Sequence, residues 1–383
     1  MSVTTILLLL IVTSVIKANS LVPEDAHLNF TELSIKYGHR ALEHRVTTED
    51  GYILTLFRIP GKKPPVLLLH GLNDCSDSFI IRGNSSLAIT LADKDYDVWA
   101  ANSRGNKYAR EHVKLNPDTD PLFWDYSFHE RGYYDLPAII DYILNATGYK
   151  TLKSIGHSEG TTDHFVLGSL RPEYNEKVQI LIAMGPSAFF KHLTSPLSLI
   201  IEMGPLVDQV FSPFKIEEVF RDGSVEKIIF QAFCTQNPVL CRSLIFQVGG
   251  YDPKRLEREF LPVLFGHFPS SGSRKSLIHY NQLGLRKRFA LYDYGAAENL
   301  KRYGKTEPPD YNLAQYTIKT ALFAGNNDLM CNLKDVEYLR TVLPNVVLYH
   351  VMESKKWNHY DFVWGNDLPK TLYPHILKLL ETF

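Results

Sequence analysis

Short apolar runs alternate with segments of helical spacing along most of the chain. The continuous apolar runs are typical of strands buried on both faces, and they cover residues 65–69, 96–101, 152–155, 178–184, 318–324 and 346–351. Residues 136–144, 161–170 and 368–380 repeat apolar positions at the spacing of a helix. Strands that alternate with helices predict an α/β fold with a mostly parallel, doubly wound sheet.

The segment 189–309 departs from this alternation. It contains helical apolar stretches that are interrupted by Pro and Gly, and it has no clear strand. We therefore predict a core formed by residues 21–188 and 310–383, with 189–309 inserted as a helical cap or lid. The alternative is a mixed α+β tail that follows the first half of the chain.

The N-terminus has the pattern of a secretory signal peptide over residues 1–20. Its apolar run, 6–16, is about 10 residues long, whereas a membrane-spanning helix needs roughly 20. Small residues at Ala18 and Ser20 predict cleavage after Ser20, and a buried N-terminal helix is the alternative. We expect no transmembrane segment in the mature chain, which would be secreted or lysosomal. Three N-x-S/T sequons agree with this route, at Asn29, Asn84 and Asn145.

The charge balance excludes some classes of partner. The 383 residues include 41 Lys and Arg and 42 Asp and Glu, which gives a formal net charge of −1. This balance provides no basic surface for nucleic acid or for an anionic membrane. The sequence has no H-E-x-x-H, C-x-x-C or G-x-G-x-x-G motif, so we expect neither a metal nor a nucleotide cofactor.

The candidate nucleophile is Ser158, in the pentapeptide Gly-His-Ser-Glu-Gly of residues 156–160. A predicted strand precedes it and a helical segment follows it, which is the context that the G-x-S-x-G motif requires. Glycines on both sides relieve the crowding of such a sharp turn. The alternative is a chance match within a loop.

A serine nucleophile needs a histidine base and an acid, which follow it along the chain in this type of fold. Asp328 lies in the loop after the strand 318–324, whereas Asp335 would fall on the next helix. His359 occupies the polar loop after the strand 346–351. We expect His350 to pack in the core and His375 to be structural.

Two backbone N–H groups should stabilise the oxyanion. The loop after the strand 65–69 reads His-Gly-Leu, so Gly71 lets the backbone approach the substrate and Leu72 donates its N–H. The residue after the nucleophile, Glu159, provides the second N–H. The loss of one such donor typically costs about 3–4 kcal/mol in transition-state stabilisation.

The chain resembles the acid lipase family, the group that contains the lysosomal and gastric lipases. The resemblance extends from about residue 31 to the C-terminus. It is carried by the segments 46–54, 70–72, 102–106, 123–128, 134–138, 156–162, 279–283, 292–295 and 358–365. This resemblance implies an α/β-hydrolase core with a helical lid and a carboxylic-ester hydrolase acting on triacylglycerols or sterol esters. It places Ser158, Asp328 and His359 on the triad positions, and Leu72 and Glu159 on the oxyanion positions.

Two features stand out against that family pattern. Glu159 replaces the usual Gln, and a carboxylate beside the oxyanion would oppose its charge unless it is protonated or turned away. Cys234 and Cys241 resemble the family's cap disulfide at a shorter spacing, and such a ring would add roughly 2–3 kcal/mol. We expect Cys75 and Cys331 to be free, since the usual strand order separates them by about 14 Å.

The leading hypothesis is therefore a secreted or lysosomal serine esterase of the lipase type, with a lipid ester as its substrate. The alternatives are an esterase for a small specialised ester and a non-catalytic lipid-binding or storage protein. Apolar residues in the cap fit two roles equally well: the underside of a lid over an acyl pocket, or simple packing of the cap onto the core.

Overall fold

A computed structural model describes residues 22–194, 196–211 and 216–383. The predicted signal peptide, 1–20, and its cleavage after Ser20 lie outside the described residues. Within the described ranges, every helix is too short or too polar to cross a membrane.

The centre of the molecule is a nine-stranded sheet among the described residues. The strands are β1 (Leu42–Thr47), β2 (Tyr52–Ile59), β3 (Lys63–Leu69), β4 (Tyr96–Ala101), β5 (Glu111–His112), β6 (Leu152–His157), β7 (Val178–Met184), β10 (Thr320–Ala324) and β11 (Val346–Val351). Their order across the sheet is β1-β2-β4-β3-β6-β7-β10-β11, with β5 paired to β2.

The sheet is parallel from β4 through β3, β6, β7 and β10 to β11. The antiparallel pairs of this sheet all involve β2, which pairs with β1, β4 and β5. The carboxyl ends of β3, β6 and β10 therefore reach the same edge of the sheet, where ligands bind in open α/β folds.

Fifteen helices accompany the strands in the described ranges. They are α1 (Phe30–Lys36), α2 (Leu87–Asp93), α3 (Phe128–Glu130), α4 (Leu136–Thr147), α5 (Glu159–Leu170), α6 (Leu197–Phe211), α7 (Val225–Gln236), α8 (Pro238–Gly249), α9 (Leu261–His267), α10 (Arg274–Arg286), α11 (Ala296–Tyr303), α12 (Leu333–Val342), α13 (Asp361–Trp364), α14 (Leu368–Thr371) and α15 (Tyr373–Thr382). A π-helical turn, Arg131–Asp135, joins α3 to α4.

Apolar residues on β3 explain how the sheet is buried on both faces. Val66 and Leu68 belong to one buried cluster, while Leu67 and Leu69 belong to the other. Neighbouring residues of a strand point to opposite faces, so a continuous apolar run fills both layers at once. This arrangement confirms the predicted α/β fold class.

The segment between β7 and β10 includes the predicted insertion 189–309, which we refer to as the cap. It contains the helices α6 to α11 and a two-stranded sheet made by β8 (Glu218–Val219) and β9 (Gly272–Ser273). A disulfide links Cys234 on α7 to Cys241 on α8, whereas Cys75 and Cys331 are free and buried.

Two sequence expectations about secondary structure are wrong in detail. The segment 368–380 does not form one helix, because Pro369 and Pro374 each begin a separate helix, α14 and α15. The cap also contains the short strand pair β8 and β9. Each of these strands has two residues, which is too few for an alternating pattern to predict a strand.

The junction of β6 and α5 is packed too closely for a side chain at Gly160. A Cβ at this position would lie 2.3 Å from the Leu69 carbonyl oxygen and 3.0 Å from that of His70. Both are backbone atoms, so the helix or β3 would have to move.

We expect Gly160→Ala to lower the free energy of unfolding by about 1–3 kcal/mol, the usual cost of overpacking. The midpoint of thermal unfolding measures this effect. Gly148→Ala is the matched control, because Gly148 has a φ of +74° but no heavy atom within 4 Å of the added Cβ. A midpoint for Gly160→Ala at or above that of Gly148→Ala would contradict the packing argument.

Candidate active site

Ser158 lies at the sharp turn between β6 and α5. Its backbone adopts φ 52° and ψ −120°, a region that non-glycine residues rarely occupy. The turn is held by the Ser158 N–H, which donates to the Met184 carbonyl at 3.0 Å, and by the Thr161 N–H, which donates to the Ser158 carbonyl at 2.8 Å. This is the strained strand-to-helix geometry expected for G-x-S-x-G.

Asp328 and His359 come together at the same edge of the sheet. His359 Nδ1 lies 2.9 Å from Asp328 Oδ2. The other carboxylate oxygen of Asp328 accepts the backbone N–H groups of Met330 at 2.9 Å and Cys331 at 2.7 Å. These bonds hold the carboxylate toward Nδ1 and leave Nε2 of the imidazole for another partner.

The loop that carries His359 is fixed by the cap and by the strand before the nucleophile. The His359 N–H donates to the Gly249 carbonyl, at the end of α8, over 3.1 Å. The His359 carbonyl lies 3.0 Å from Nε2 of His157. Burial lowers the pKa of His157 to about 3, so this ring is neutral and its Nε2–H donates to the carbonyl.

The loop after β3 approaches Ser158 closely. A Cβ at Gly71 would lie 3.2 Å from the Ser158 Cβ, so a larger residue there would crowd the nucleophile. His70 steadies this loop by accepting the Ser103 N–H at Nε2 over 3.1 Å. Burial lowers the pKa of His70 to about 3, which keeps Nε2 an acceptor. Leu72 follows Gly71 and lines the same cavity as Ser158.

The Glu159 side chain does not face the nucleophile as an isolated charge. It is buried and forms an ion pair with the Arg131 guanidinium. Its backbone N–H is at the first position of α5, where helix N–H groups point toward a developing negative charge. Arg131 therefore compensates the negative charge that Glu159 introduces in place of the usual Gln. No sequence motif predicts this ion pair.

A cavity of about 350 Å³ connects these residues, with Leu72, Ser158 and His359 in its lining. The rest of the lining is mostly apolar and comes from both core and cap. The apolar contributors are Phe220, Phe230, Leu244, Ile245, Val248, Phe265, Phe268, Pro269, Met330 and Trp364. The cavity therefore suits an apolar group beside the hydroxyl and the imidazole.

Aromatic residues of the cap lie both in the cavity lining and in contact with the core. Phe230 lines the cavity and contacts the Phe265 ring at 5.7 Å. Phe190 instead packs against Tyr280 at 5.7 Å, and Phe189 against Tyr338 of α12 at 4.8 Å.

The competing acid and bases lie elsewhere. Asp335, near the start of α12, accepts the His192 N–H at 3.0 Å. His350 and His375 contact each other with ring centroids 4.4 Å apart. His350 is half-buried on β11 at the edge of the sheet, so its expected place in the core is wrong.

The three sequon asparagines are all exposed. Asn29 precedes α1, Asn84 lies in a short turn, and Asn145 is near the end of α4. Their glycosylation stays a prediction.

One set of potential metal ligands occurs in the described ranges, formed by Asp328, Cys331 and His359 within 4.8 Å of one another. Burial raises the pKa of the Cys331 thiol well above its usual value, so it stays protonated and is a poor ligand. The Asp328 carboxylate and His359 Nδ1 are already bonded to each other. The arrangement favours acid–base chemistry over metal binding.

Sequence reasoning missed two charged residues at this site, Arg131 and Asp74. Arg131 is buried beneath Glu159, and Asp74 lines the cavity. Neither belongs to a motif with its own chemistry, so only their position in the fold identifies them.

Comparisons with known proteins agree with this geometry. Residues 30–83 match the family model of a partial alpha/beta-hydrolase lipase region, and residues 64–211 match that of the alpha/beta hydrolase fold. Among solved structures, an epoxide hydrolase from Vigna radiata has a TM-score of 0.52 at 16% identity, covering 90% of this chain and 99% of that one. A membrane phospholipase A also has a TM-score of 0.52, at 15% identity, covering 99% and 95%. At such low identity, these two structures support the fold alone.

Relatives of higher identity extend over nearly the whole chain. Lipase 1 of Drosophila melanogaster is 39% identical, covering 94% of this chain and 81% of its own length. Gastric triacylglycerol lipase of Bos taurus is 34% identical, covering 93% and 92%. Lysosomal acid lipase/cholesteryl ester hydrolase of Homo sapiens is 34% identical, covering 94% and 93%. The chain therefore belongs to the acid lipase family of α/β hydrolases and is a carboxylic-ester hydrolase.

Proposed function

We propose that this protein is a lipase that cleaves acyl esters of neutral lipids, such as triacylglycerols or sterol esters, through an acyl-enzyme on Ser158. The observation that carries the proposal is that His359, which is hydrogen-bonded to Asp328, lines the same apolar cavity as Ser158. Relatives named as triacylglycerol and cholesteryl ester hydrolases support the choice of substrate.

In the first half of the reaction, the Ser158 hydroxyl oxygen attacks the ester carbonyl carbon while His359 Nε2 accepts the hydroxyl proton. The carbonyl oxygen becomes an oxyanion, which the N–H groups of Leu72 and Glu159 stabilise. The tetrahedral intermediate then expels the alcohol, and His359 returns the proton to the leaving oxygen. Asp328 keeps the imidazole in the tautomer with Nδ1–H and stabilises the imidazolium.

In the second half, water takes the place of the alcohol. His359 removes a proton from the water, which attacks the acyl carbon, and the same proton is passed to the Ser158 oxygen as the fatty acid leaves. The apolar cavity excludes bulk water from the acyl chain, so every polar interaction near the ester is strengthened.

We propose that the cap acts at a lipid–water interface. Its helices expose many large apolar side chains, more than a single docked domain requires. They are Leu199, Ile200, Met203 and Leu206 on α6, Ile228, Ile229 and Phe233 on α7, and Val239, Leu240 and Leu244 on α8. Leu244 also lines the cavity, so the exposed face is continuous with the substrate site.

The proposed place of action is the secretory pathway, with delivery to the extracellular space or the lysosome. The disulfide between Cys234 and Cys241 supports an oxidising lumen, since such bonds are rare in reducing compartments. The three exposed sequons are compatible with the same route.

Fluorophosphonate labelling tests the nucleophile. We expect the wild-type protein to be labelled and Ser158→Ala to be unlabelled, with ester hydrolysis reduced by at least about 10⁴-fold. Ser154→Ala is the control, because the Ser154 hydroxyl is buried on β6 and lies 2.8 Å from His164 Nε2. Labelling of Ser158→Ala would reject the assignment.

The acid and base are tested by paired variants. We expect Asp328→Asn to lower kcat by about 10⁴-fold, because the imidazole loses its orienting carboxylate. Asp335→Asn should retain most activity, since the Asp335 carboxylate bonds to His192. His359→Ala and His350→Ala form the corresponding pair for the base. Equal losses within either pair would contradict the proposed triad.

A substrate panel tests the lipase assignment. We expect the wild type to hydrolyse a long-chain triacylglycerol emulsion as well as a soluble short-chain ester, with Ser158→Ala as the background. Hydrolysis of the soluble ester alone would establish an esterase for small substrates. Lack of hydrolysis and of labelling at both acidic and neutral pH would establish a non-catalytic lipid-binding protein.

Asp74 adds a titratable group to the cavity. Its Oδ1 accepts the Cys75 N–H at 2.8 Å and the Ser78 hydroxyl at 2.7 Å. Burial raises the pKa of Asp74 to about 7, an effect to which Asp77 adds and which Lys107 opposes. The cavity is therefore uncharged at this position in acid, which suits an apolar acyl chain in an acidic compartment.

The raised pKa also links Asp74 to stability. Between about pH 4 and 7 the folded protein keeps a proton that the unfolded chain has released, so stability falls as the pH rises through this window. We expect Asp74→Asn, which keeps the Oδ1 acceptor, to raise the unfolding midpoint by a few degrees at pH 8 and hardly at all at pH 4.

Asp77→Asn is the control, because its expected effect on the unfolding midpoint at pH 8 is a decrease. Burial alone would raise the pKa of Asp77, but Lys107 and His267 hold it well below the usual value. Removing this charge should lower the unfolding midpoint at pH 8. A shift for Asp74→Asn that is the same at both pH values would contradict the assigned ionisation.

A further inference from the structure

Arg131 lies in the interior beneath the candidate oxyanion site. It begins the π-helical turn Arg131–Asp135, and this turn packs directly on α5. A Cβ at Gly132 would lie 2.6 Å from the Asp163 carbonyl oxygen, so only glycine permits this approach. Arg131 is 5% exposed and lies outside the lining of the substrate cavity, although it borders a small separate cavity together with Leu72 and Glu159.

The guanidinium contacts both segments that provide the candidate oxyanion donors. One terminal nitrogen donates to the Glu159 carboxylate, and the other donates to the His70 carbonyl at 3.3 Å. Nε and that second nitrogen also donate to Asp163 Oδ2 at 3.0 and 2.8 Å. One rigid, planar group therefore joins the start of α5 to the loop that contains Leu72.

The charges around Arg131 do not balance. Glu159 and Asp163 are both buried, and each has one carboxylate oxygen without a hydrogen-bond partner. Burial raises the pKa of both carboxyls, while Arg131 lowers them. Asp135 and Tyr280 also face this group, and Asp135 is itself paired with Arg104.

We propose that Arg131 is a positioning residue for the oxyanion site: it holds the Glu159 carboxylate away from the reacting oxygen, neutralises it, and clamps the loop of Leu72 against the start of α5. This inference rests on the proposed function, because it assigns a role to a residue behind the same two N–H donors. Arg131 itself does not touch the substrate.

Without Arg131, the pKa of Glu159 would rise further, and above that pKa its carboxylate would be a buried, uncompensated charge next to the residue that becomes acylated. Such a charge opposes the oxyanion more strongly than it opposes the neutral ester, so the loss falls on the transition state. A residue that merely stabilised the fold would instead reduce the amount of folded enzyme and leave its kcat unchanged.

The test measures kcat and KM for a soluble ester with Arg131→Met, Glu159→Gln and the double variant Arg131→Met/Glu159→Gln. We expect Arg131→Met to lower kcat by about 10- to 100-fold with KM within about threefold, less than the loss of a complete donor. The double variant should recover at least about tenfold of this loss, because the uncompensated carboxylate is gone.

The pH profile gives a readout that a structural role would not change. Because acidification protonates Glu159, the kcat of Arg131→Met relative to the wild type should rise as the pH falls. The double variant should show no such rise. A ratio that is independent of pH, together with no recovery in the double variant, would overturn the proposal.

Two further variants keep the test decisive if Arg131→Met folds poorly. Arg131→Lys keeps the charge but lacks the planar fork that spans the three acceptors, so it should lose some kcat but less than Arg131→Met. If the methionine variant does not fold, a kcat for Arg131→Lys equal to that of the wild type would overturn the clamp. Arg104→Met is the control for losing a buried arginine, since the Arg104 side chain pairs with Asp50 and Asp135. Glu159→Gln should not rescue it.

The two levels of hypothesis fail in different ways. If the proposed function is wrong, the wild-type protein hydrolyses no ester and is not labelled by the fluorophosphonate. If only the role of Arg131 is wrong, the wild type is active and Arg131→Met, folded as judged by its thermal unfolding, has the same kcat.

Discussion

The backbone at Ser158 occupies a left-handed region, with φ 52°, and such a conformation costs on the order of 1–3 kcal/mol for a non-glycine residue. It persists because both sides of the turn belong to rigid, buried elements. On one side β6 is paired with β3 and β7, and on the other α5 packs its first turn against the end of β3. Everything else at the site is arranged around the hydroxyl that this turn exposes.

The remaining groups reach Ser158 from distant parts of the chain. Asp328 follows β10, and His359 is held in place by Gly249 at the end of α8 in the cap. A Cβ at Gly250 would lie 2.0 Å from the Asn327 carbonyl oxygen, so the cap and the acid loop are packed against each other. The cap therefore does more than line the cavity, because it also supports the loops that carry His359 and Asp328.

Charge is the second constraint on this site. The interior near the oxyanion donors contains Glu159, Asp163 and Arg131, and the apolar cavity contains Asp74. Each of these groups loses its water on folding, and each is retained because a specific partner or a shifted pKa compensates for that loss. Arg131 thus compensates Glu159 and Asp163, whereas the raised pKa of Asp74 compensates for its burial in the cavity lining.

By itself, the sequence determines the α/β class, the strands that form the parallel sheet, and the chain order of Ser158, Asp328 and His359. These features follow from local periodicity and from motifs whose spacing reflects one turn or one loop. The edge position of His350, the support of His359 by Gly249 and the pairing of Glu159 with Arg131 were decided by tertiary structure. The physical reason is common to all three: each depends on contacts between residues that are far apart in the sequence and that only the packed fold brings together.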